Sequence, residues 1–519
     1  MTKRANIGSG LDRRQVLKTG AAVGAAALLP EIALAADTPR RSGTLRLAMP
    51  YNPASVDPMT GRNLTDFNVL YAVFDGLIDF NPATLELKPG LAKAWRFTDP
   101  KTLVLDLVEG VKFHDGASFD GSVVKLNIER YKSDQRSNVK ADLATVDSVE
   151  VNASNKVTIH LNKPNAGLPT ILTNRVGLMV SPNSIKEKGA NVDRKPVGTG
   201  PFKFVSWQDN SSFALTRNEN YWKKGLPYLD GINMRIISEL NTAVRTTLTG
   251  ETDLAIDLAT QQRAIAAKFS SVKIQTGPSL VFLGAFLNYA KPPLDDVRIR
   301  QALNYAIDRD ELNKVIAAGL GQATCAVLPT EHWACDPSTV HYYKYDVDKA
   351  KALLKEAGHP DGIEIESWGW PDQISMQRQE LIVSQLAKAG IRLKLTPVAP
   401  QQAMSNFMIE KKGAMLLSPA GGFPDPSQFY EALFGKTALR NAGKIELPGF
   451  RDLLDATMAA PDQESRKQAF YKLQRFVIEQ ALQLPQFVGP GVSVMSPKVR
   501  DFVAGLLITP KFTEVWLSA

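Results

Sequence analysis

Between Ile363 and Leu395 the chain switches periodicity twice, and this switching constrains the fold more than any other stretch. Ile363-Glu364-Ile365 alternates as a strand does, Gln377–Ala389 reads as a helix, and Ile391-Arg392-Leu393-Lys394-Leu395 alternates again. A strand, a helix and a strand in succession pack as a parallel pair joined by a crossover, which predicts an α/β lobe. The segments on either side extend it. Asp295 is placed to cap a helix carrying Ile299, Ala302, Leu303, Ala306 and Ile307 on one face. Asp308-Arg309-Asp310-Glu311 opens another with a capping-box-like pattern, closed by Gly319. Asp346–Ala357 reads as a third helix, stopped by Gly358. Glu464–Gln480 reads as a long helix, and Leu484–Phe487 as a strand returning to the first half of the chain.

That first half predicts a lobe of its own. Gly43–Met49 alternates as a first strand, followed by a turn-rich loop over Pro50–Pro58. Asp66 is placed to cap a helix whose stripe runs through Phe67, Leu70, Tyr71, Phe74, Leu77 and Ile78. Leu103–Leu107 and Val157–Leu161 read as strands flanking an Asp115-Gly116 turn and a helix over Ser122–Tyr131. Later strands fall at Ala214–Arg217, Ile232–Ile237, Asp253–Asp257 and Phe282–Leu287, with a helix over Asn241–Gly250. A chain of 519 residues, 44% apolar, holds about three domains at ~150 residues each.

The N-terminus reads as an export address. Arg13-Arg14 precedes a weakly apolar run from Thr19 to Leu29, and Ala33-Leu34-Ala35 offers small residues for cleavage. Adjacent arginines point to the twin-arginine route, although Asp12 and Val16 depart from its usual residues and leave the Sec route open. The apolar run is about half of the roughly 20 residues a membrane span needs. No Cys follows it, so the expectation is a periplasmic protein without a lipid anchor, starting near Ala36. Net charge is +8, of which the first 35 residues hold +3. The remainder is diffuse, with no basic block suited to a phosphate backbone, so no nucleic-acid partner is expected.

Catalytic constellations are missing. Gly198-Thr199-Gly200 lacks the third glycine and the helix of a dinucleotide fingerprint, and no phosphate-binding loop or Gly-x-Ser-x-Gly elbow occurs. Ser122-Val123-Val124-Lys125 matches Ser-x-x-Lys without its partner motifs, and is read as a helix start. His114, His160, His332, His341 and His359 form no metal-ligand spacing. No cofactor, metal site or enzyme activity is expected. Cys325 and Cys335 are the only cysteines; in an oxidising compartment they are expected to close a short disulfide loop around Pro329 and Trp333, the alternative being two unpaired buried thiols.

Three segments carry a family resemblance: Pro196-Val197-Gly198-Thr199-Gly200-Pro201-Phe202 with Leu215–Trp222 and Leu248–Asp253 beyond it, the run Pro293–Arg309, and Tyr345–Gly358. Together they resemble the large extracytoplasmic solute-binding proteins of ABC importers, the oligopeptide/dipeptide/nickel-binding family (family 5). The resemblance implies a two-lobed, hinged periplasmic binding protein of type II-like α/β fold, with an additional small inserted α/β domain. It divides the chain into a signal (1–35), a first lobe I segment (36–80), the inserted domain (81–196), a second lobe I segment (197–287), lobe II (288–483) and a return to lobe I (484–519). It implies a monomer that captures a small solute and hands it to membrane permease subunits. A peptide or peptide-like ligand comes first; opines, glycans and metal chelates follow.

Candidate ligand contacts lie at strand ends. Tyr51 and Asn52 follow the first strand, with hinge packing as the alternative role. Trp368 and Trp370 share a strand face opposite Ile363 and Ile365, suited either to clamping a ligand or to packing on a helix. Gly421, Gly422 and Phe423 precede Pro424-Asp425-Pro426. Peptide-binding members of the family place an acidic residue just before this Asp-Pro segment, to hold the ligand ammonium; Gly422 stands there instead. Asp425 is read as ordering the turn. Gln486 and Phe487 lie on the returning strand. Thr199 and Gly200 are read as structural.

Overall fold

A computed structural model of the chain describes residues 38–61, 64–187 and 192–519. The expected signal over residues 1–35 and its cleavage near Ala36 lie outside them. Two long antiparallel strands organise the rest: a first crossing strand, Lys273–Leu287, and a second, Gln483–Met495. Near Lys273–Pro278 they pair in one half of a continuous sheet, and near Phe282–Phe286 in the other. The register breaks between Pro278 and Phe282, and again between Leu283 and Gly284. Pro278 and Pro490 face each other at the first break, where proline removes ladder donors.

On one side of this crossing the sheet continues through Leu254–Leu258, Thr44–Met49, Gly231–Ile236, Ser212–Arg217 and Phe202–Gln208. On the other it continues through Met415–Ala420, Ile363–Gly369 and Ile391–Pro397. Thr44–Met49 is parallel to both its neighbours, as is Ile363–Gly369 to its own. The parallel α/β lobe expected around Ile363–Leu395 is therefore present. Its inner strand Met415–Ala420 is buried on both faces, whereas Ile363–Gly369 and Ile391–Pro397, farther from the crossing strands, alternate between buried and exposed or half-buried residues. Ile363 and Ile365 join Leu312, Ile382 and Leu386 on one face, while Trp368 and Trp370 flank Phe282, Leu416 and Phe429 on the other. A separate four-stranded antiparallel sheet, spanning residues 92–161, carries its own core with the helix Gly121–Ser133.

Several element bounds differ from the pattern in the sequence. The helix expected at Gln377 begins at Gln373, because the Asp372 carboxylate accepts the Ser375 amide as N-cap. Asp296, one residue beyond Asp295, caps Val297–Tyr305 through the Arg298 amide. Asp308 and Asp346 cap their helices as expected. Asp66 does not cap the short helix Phe67–Val73; its side chain accepts the Ala54 amide and pairs with Arg175. That helix ends at Val73 because the Gly200 amide takes the Val73 carbonyl. A Cβ on Gly198 or Gly200 would lie within 2.6 Å of that carbonyl oxygen. Glycine is thus a requirement of close approach at both positions.

Candidate functional site

In both lobes the parallel strands end on loops that bear the candidate side chains, the position where open α/β sheets present ligands. Thr44–Met49 leads to Tyr51 and Asn52. Leu254–Leu258 carries Asp257 near its end. Ile363–Gly369 leads to Trp370 and Asp372, and Met415–Ala420 to Gly421, Gly422 and Phe423. Tyr51 and Asp372 belong to different lobes, yet Asp372 and Asp257 both act electrostatically on the Tyr51 phenol. Desolvation first, then these two carboxylates, raise its pKa.

The structure separates the candidates by what their polar atoms already do. Asn52 is fully engaged: its Oδ1 accepts from Trp207 Nε1 and the Asn210 amide, and its Nδ2 donates to Asp209 and the Pro53 carbonyl, all at 3.1 Å. It ties the first loop to residues 207–210. Trp368 donates its indole N–H to the Lys412 carbonyl at 2.8 Å. Trp370 is different. It is half-buried, and its Nε1 has no partner among the described residues.

Gly422 packs on the hinge. A Cβ there would meet Leu280 Cβ at 2.6 Å and the Leu280 carbonyl oxygen at 3.0 Å. Phe423 is half-buried beside Phe429, with the Arg440 guanidinium 5.9 Å from its ring. Arg440 Nη1 has no partner among the described residues, and burial lowers the pKa of its guanidinium. Gln486 is wholly buried; Arg378 Nη1 donates to its Oε1 at 3.0 Å, while its Nε2 is left without a partner. Arg378 is itself 1% exposed, and burial pushes its pKa down to about 10.

Two expectations are corrected. Phe487 lies in the core with Ala285, Leu287 and Leu484, whereas its neighbour Val488 packs with Phe282 and Leu416 in the other cluster. Adjacent strand residues point to opposite faces, and Phe487 takes the one packed by the helices Val297–Tyr305 and Gln373–Lys388. The Cys325–Cys335 bridge is not formed: both are buried free thiols. Cys325 Sγ meets the Tyr343 carbonyl at 3.5 Å and Cys335 Sγ the Leu328 carbonyl at 3.6 Å. They belong to separate apolar clusters, and burial raises the Cys335 thiol to about 12.

Pattern reading missed several charged groups. Asp75 accepts hydrogen bonds from Thr199 Oγ1 (3.0 Å), Tyr221 OH (2.8 Å) and Trp222 Nε1 (2.8 Å), so two parts of the Pro196–Asp253 block converge on it. Asp142, which precedes the strand Val146–Ala153 of the four-stranded sheet, accepts from Gln428 of the helix Pro426–Phe434 at 2.7 Å; desolvation raises it to about 6. Asp257 lines a cavity of about 190 Å³ with Tyr51, Thr65 and Ser493. Its only sequence signal is a carboxylate near the end of an otherwise apolar strand. Asp425, read as a turn-former, caps Pro426–Phe434 and pairs with Arg466 at 2.8 Å, fully buried. Among the described residues no three His, Cys, Asp or Glu side chains come together as a metal set, and no helix is long and apolar enough to cross a membrane.

Comparison with known proteins gives consistent relatives. Residues 86–441 match the model of bacterial extracellular solute-binding proteins, family 5 (middle), and residues 10–30 match that of the twin-arginine translocation signal sequence. The glutathione-binding protein GsiB of Salmonella paratyphi A is 30% identical over 373 residues, 71% of each chain. The periplasmic binding protein DppA of Helicobacter pylori, solved with the peptide STSA, superposes with a TM-score of 0.82 at 25% identity, covering 92% of this chain and 99% of its own. AgaA of A. tumefaciens R10, solved with agropinic acid, superposes with a TM-score of 0.81 at 23% identity, covering 92% and 99%.

Proposed function

The chain belongs to the bacterial extracellular solute-binding proteins of family 5, and from that premise we propose that it captures a peptide or peptide-like solute between its lobes for delivery to an ABC importer's membrane permease. It is exported by a twin-arginine signal and works in the periplasm as the importer's substrate-binding component. Its family consists of transport components, and we read the chain itself as a binder without turnover.

The observation that carries this reading is the pair of crossing strands. They are the sheet's continuous link between the lobes, and their ladder is broken where one lobe gives way to the other. A break in register concentrates bending at a few residues, which suits closure of two rigid lobes on a ligand. The ligand shifts that equilibrium by preferring the closed form. Tyr51, Trp370, the Gly421-Gly422-Phe423 loop and Gln486 are the contacts we assign, with Arg440 added as a cation able to pair with a ligand carboxylate. Asn52 and Trp368 act by holding the loops that carry their neighbours. The domain division expected from the sequence, with lobe II over residues 288–483 and the inserted domain over 81–196, is retained in this reading, as is a monomer. A peptide agrees with what the names of the GsiB and DppA relatives state of those proteins.

Native mass spectrometry of the protein taken from its own periplasm tests the assignment. The expected result is a discrete added mass that leaves on unfolding and fragments to amino acids. A protein that arrives empty, and that no peptide, opine or sugar stabilises against heat, would overturn it.

A further inference from the structure

The cavity of about 190 Å³ in lobe I contains a carboxylate without a counter-ion. Its walls come from the loop after the first strand (Tyr51), the end of Leu254–Leu258, the second crossing strand (Gly491–Ser493) and the C-terminal segment at Phe502 and Ile508. It is larger than a cavity of about 150 Å³ that admits benzene. Asp257 lines it, on a backbone with φ of +55°. Non-glycine residues adopt the left-handed region uncommonly, and such conformations collect at functional sites. Asp257 Oδ2 accepts one hydrogen bond, from Asn68 Nδ2 at 3.2 Å. No described lysine or arginine forms an ion pair with it. Three shielded carboxylates of this protein carry a guanidinium partner, Asp57 with Arg130, Asp253 with Arg46 and Asp425 with Arg466; Asp75 and Asp142 have neutral donors instead, and of these unpaired carboxylates Asp257 is the one that lines the cavity. Desolvation raises the Asp257 carboxyl to about 6, with the Asn68 hydrogen bond as the only opposing influence. A second carboxylate, Asp372 of lobe II, also acts electrostatically on Tyr51. One wall of the cavity is thus an aromatic ring, 56% exposed, with the Asp257 carboxylate lining the same space. A negative, partly desolvated site with an aromatic edge favours a cation.

We propose that this cavity receives a cationic group of the transported solute, an ammonium or a guanidinium, with Asp257 as its counter-ion and the Tyr51 ring in its wall; the proposal rests on the transport reading above. The occupant would touch Gly491–Ser493 on the second crossing strand, and so sit beside the element that links the lobes. A ligand bound this way presents its positive end to lobe I and leaves its remainder for Trp370, Phe423 and Arg440.

The test is calorimetric titration of the exported protein with four probes: trialanine, N-acetyl-trialanine, L-arginine and agmatine. At least one of the three cationic probes is expected to bind, with N-acetyl-trialanine about ten-fold weaker or worse. Asp257→Asn, which preserves shape, is expected to weaken the cationic probe by about ten-fold or more. Ala504→Leu, which adds side-chain volume to the cavity wall from the C-terminal segment and leaves Asp257 itself unaltered, is expected to do the same. The unliganded melting temperature of each variant reports whether it folds. Equal binding by wild type and Asp257→Asn overturns the proposal, as does binding of N-acetyl-trialanine alone. If no probe binds but the protein carries an uncharged or anionic solute from its periplasm, the proposal fails and the transport reading stands. If no solute of any kind binds, both fail.

Discussion

At the scale of single residues, the Pro196–Asp253 block is organised around one carboxylate. Asp75 gathers the hydroxyls of Thr199 and Tyr221 and the Trp222 indole N–H, and burial holds its pKa above the ordinary carboxylate range. Asp75→Ala would leave three donors without an acceptor. It is expected to lower stability by about 2–4 kcal/mol, read as the urea midpoint of the exported protein. Thr199 and Gly200 could be read as structural from the sequence, because a Gly-Thr-Gly turn between prolines makes a tight connection. Asp75 could not, since its partners lie 124 to 147 residues away. The cysteines show the same limit from the other side. Their short separation suits a bridge, but the fold points them into different clusters. Mass spectrometry of the unfolded protein after alkylation without reductant is expected to count two free thiols, and reductant is expected to leave the melting temperature unchanged; a bridged species would contradict both.

At the scale of elements, local chemistry was legible wherever a residue acts on its own neighbours. Asp308 and Asp346 cap the helices they precede, and the alternation that puts Trp368 opposite Ile365 survives in the fold. The errors arose where a distant segment competes for the same atoms. Asp66 gives up the cap of Phe67–Val73 to pair with Arg175, and the Val73 carbonyl that would extend that helix goes to Gly200. The hinge follows the same rule. Gly422, a ligand-contact candidate in the sequence, also has a packing role that the sequence did not show: its bare Cα lets the lobe II loop rest on Leu280. Gly422→Ala places a methyl against Leu280 Cβ and its carbonyl, and is expected to cost about 1–3 kcal/mol. Small-angle scattering should show it displaced toward a more open form; an unchanged profile and melting temperature would remove Gly422 from the hinge.

At the scale of the whole molecule, buried titrating groups oppose one another. Burial raises Asp142 and Asp257 to about 6, against about 3.9 in an unfolded chain. The folded protein therefore holds more protons between these values, and this pair adds stability as pH falls from 6 to 4. Burial pushes His114 and His332 down to about 4 from 6.5. The unfolded chain then binds more protons below pH 6.5, and this pair removes stability over the same window. Wild type is expected to show a shallow dependence there. The double variant Asp142→Asn, Asp257→Asn should be more stable at pH 7, by on the order of 1 kcal/mol per site after solvent screening, and should lose stability more steeply on acidification. Denaturant titrations at pH 4.5, 5.5 and 7 check the sign. Parallel slopes for the two proteins would show that these carboxylates are solvated.

What the sequence determined by itself was the export signal, the helix caps at Asp308 and Asp346, the strand alternation, two α/β lobes and the family. The caps and the alternation follow from periodicity and from residues acting within one or two turns of their own position, and the family from the resemblance of the segments around Pro196–Phe202, Pro293–Arg309 and Tyr345–Gly358. Only the tertiary structure decided which distant side chains meet. The Asp75 anchor, the unpaired Asp257, the cation at Arg440 and the seating of Gly422 on Leu280 each depend on segments far apart in sequence. Their burial, and the energy of leaving them paired or unpaired, does not exist until the two crossing strands bring the lobes together.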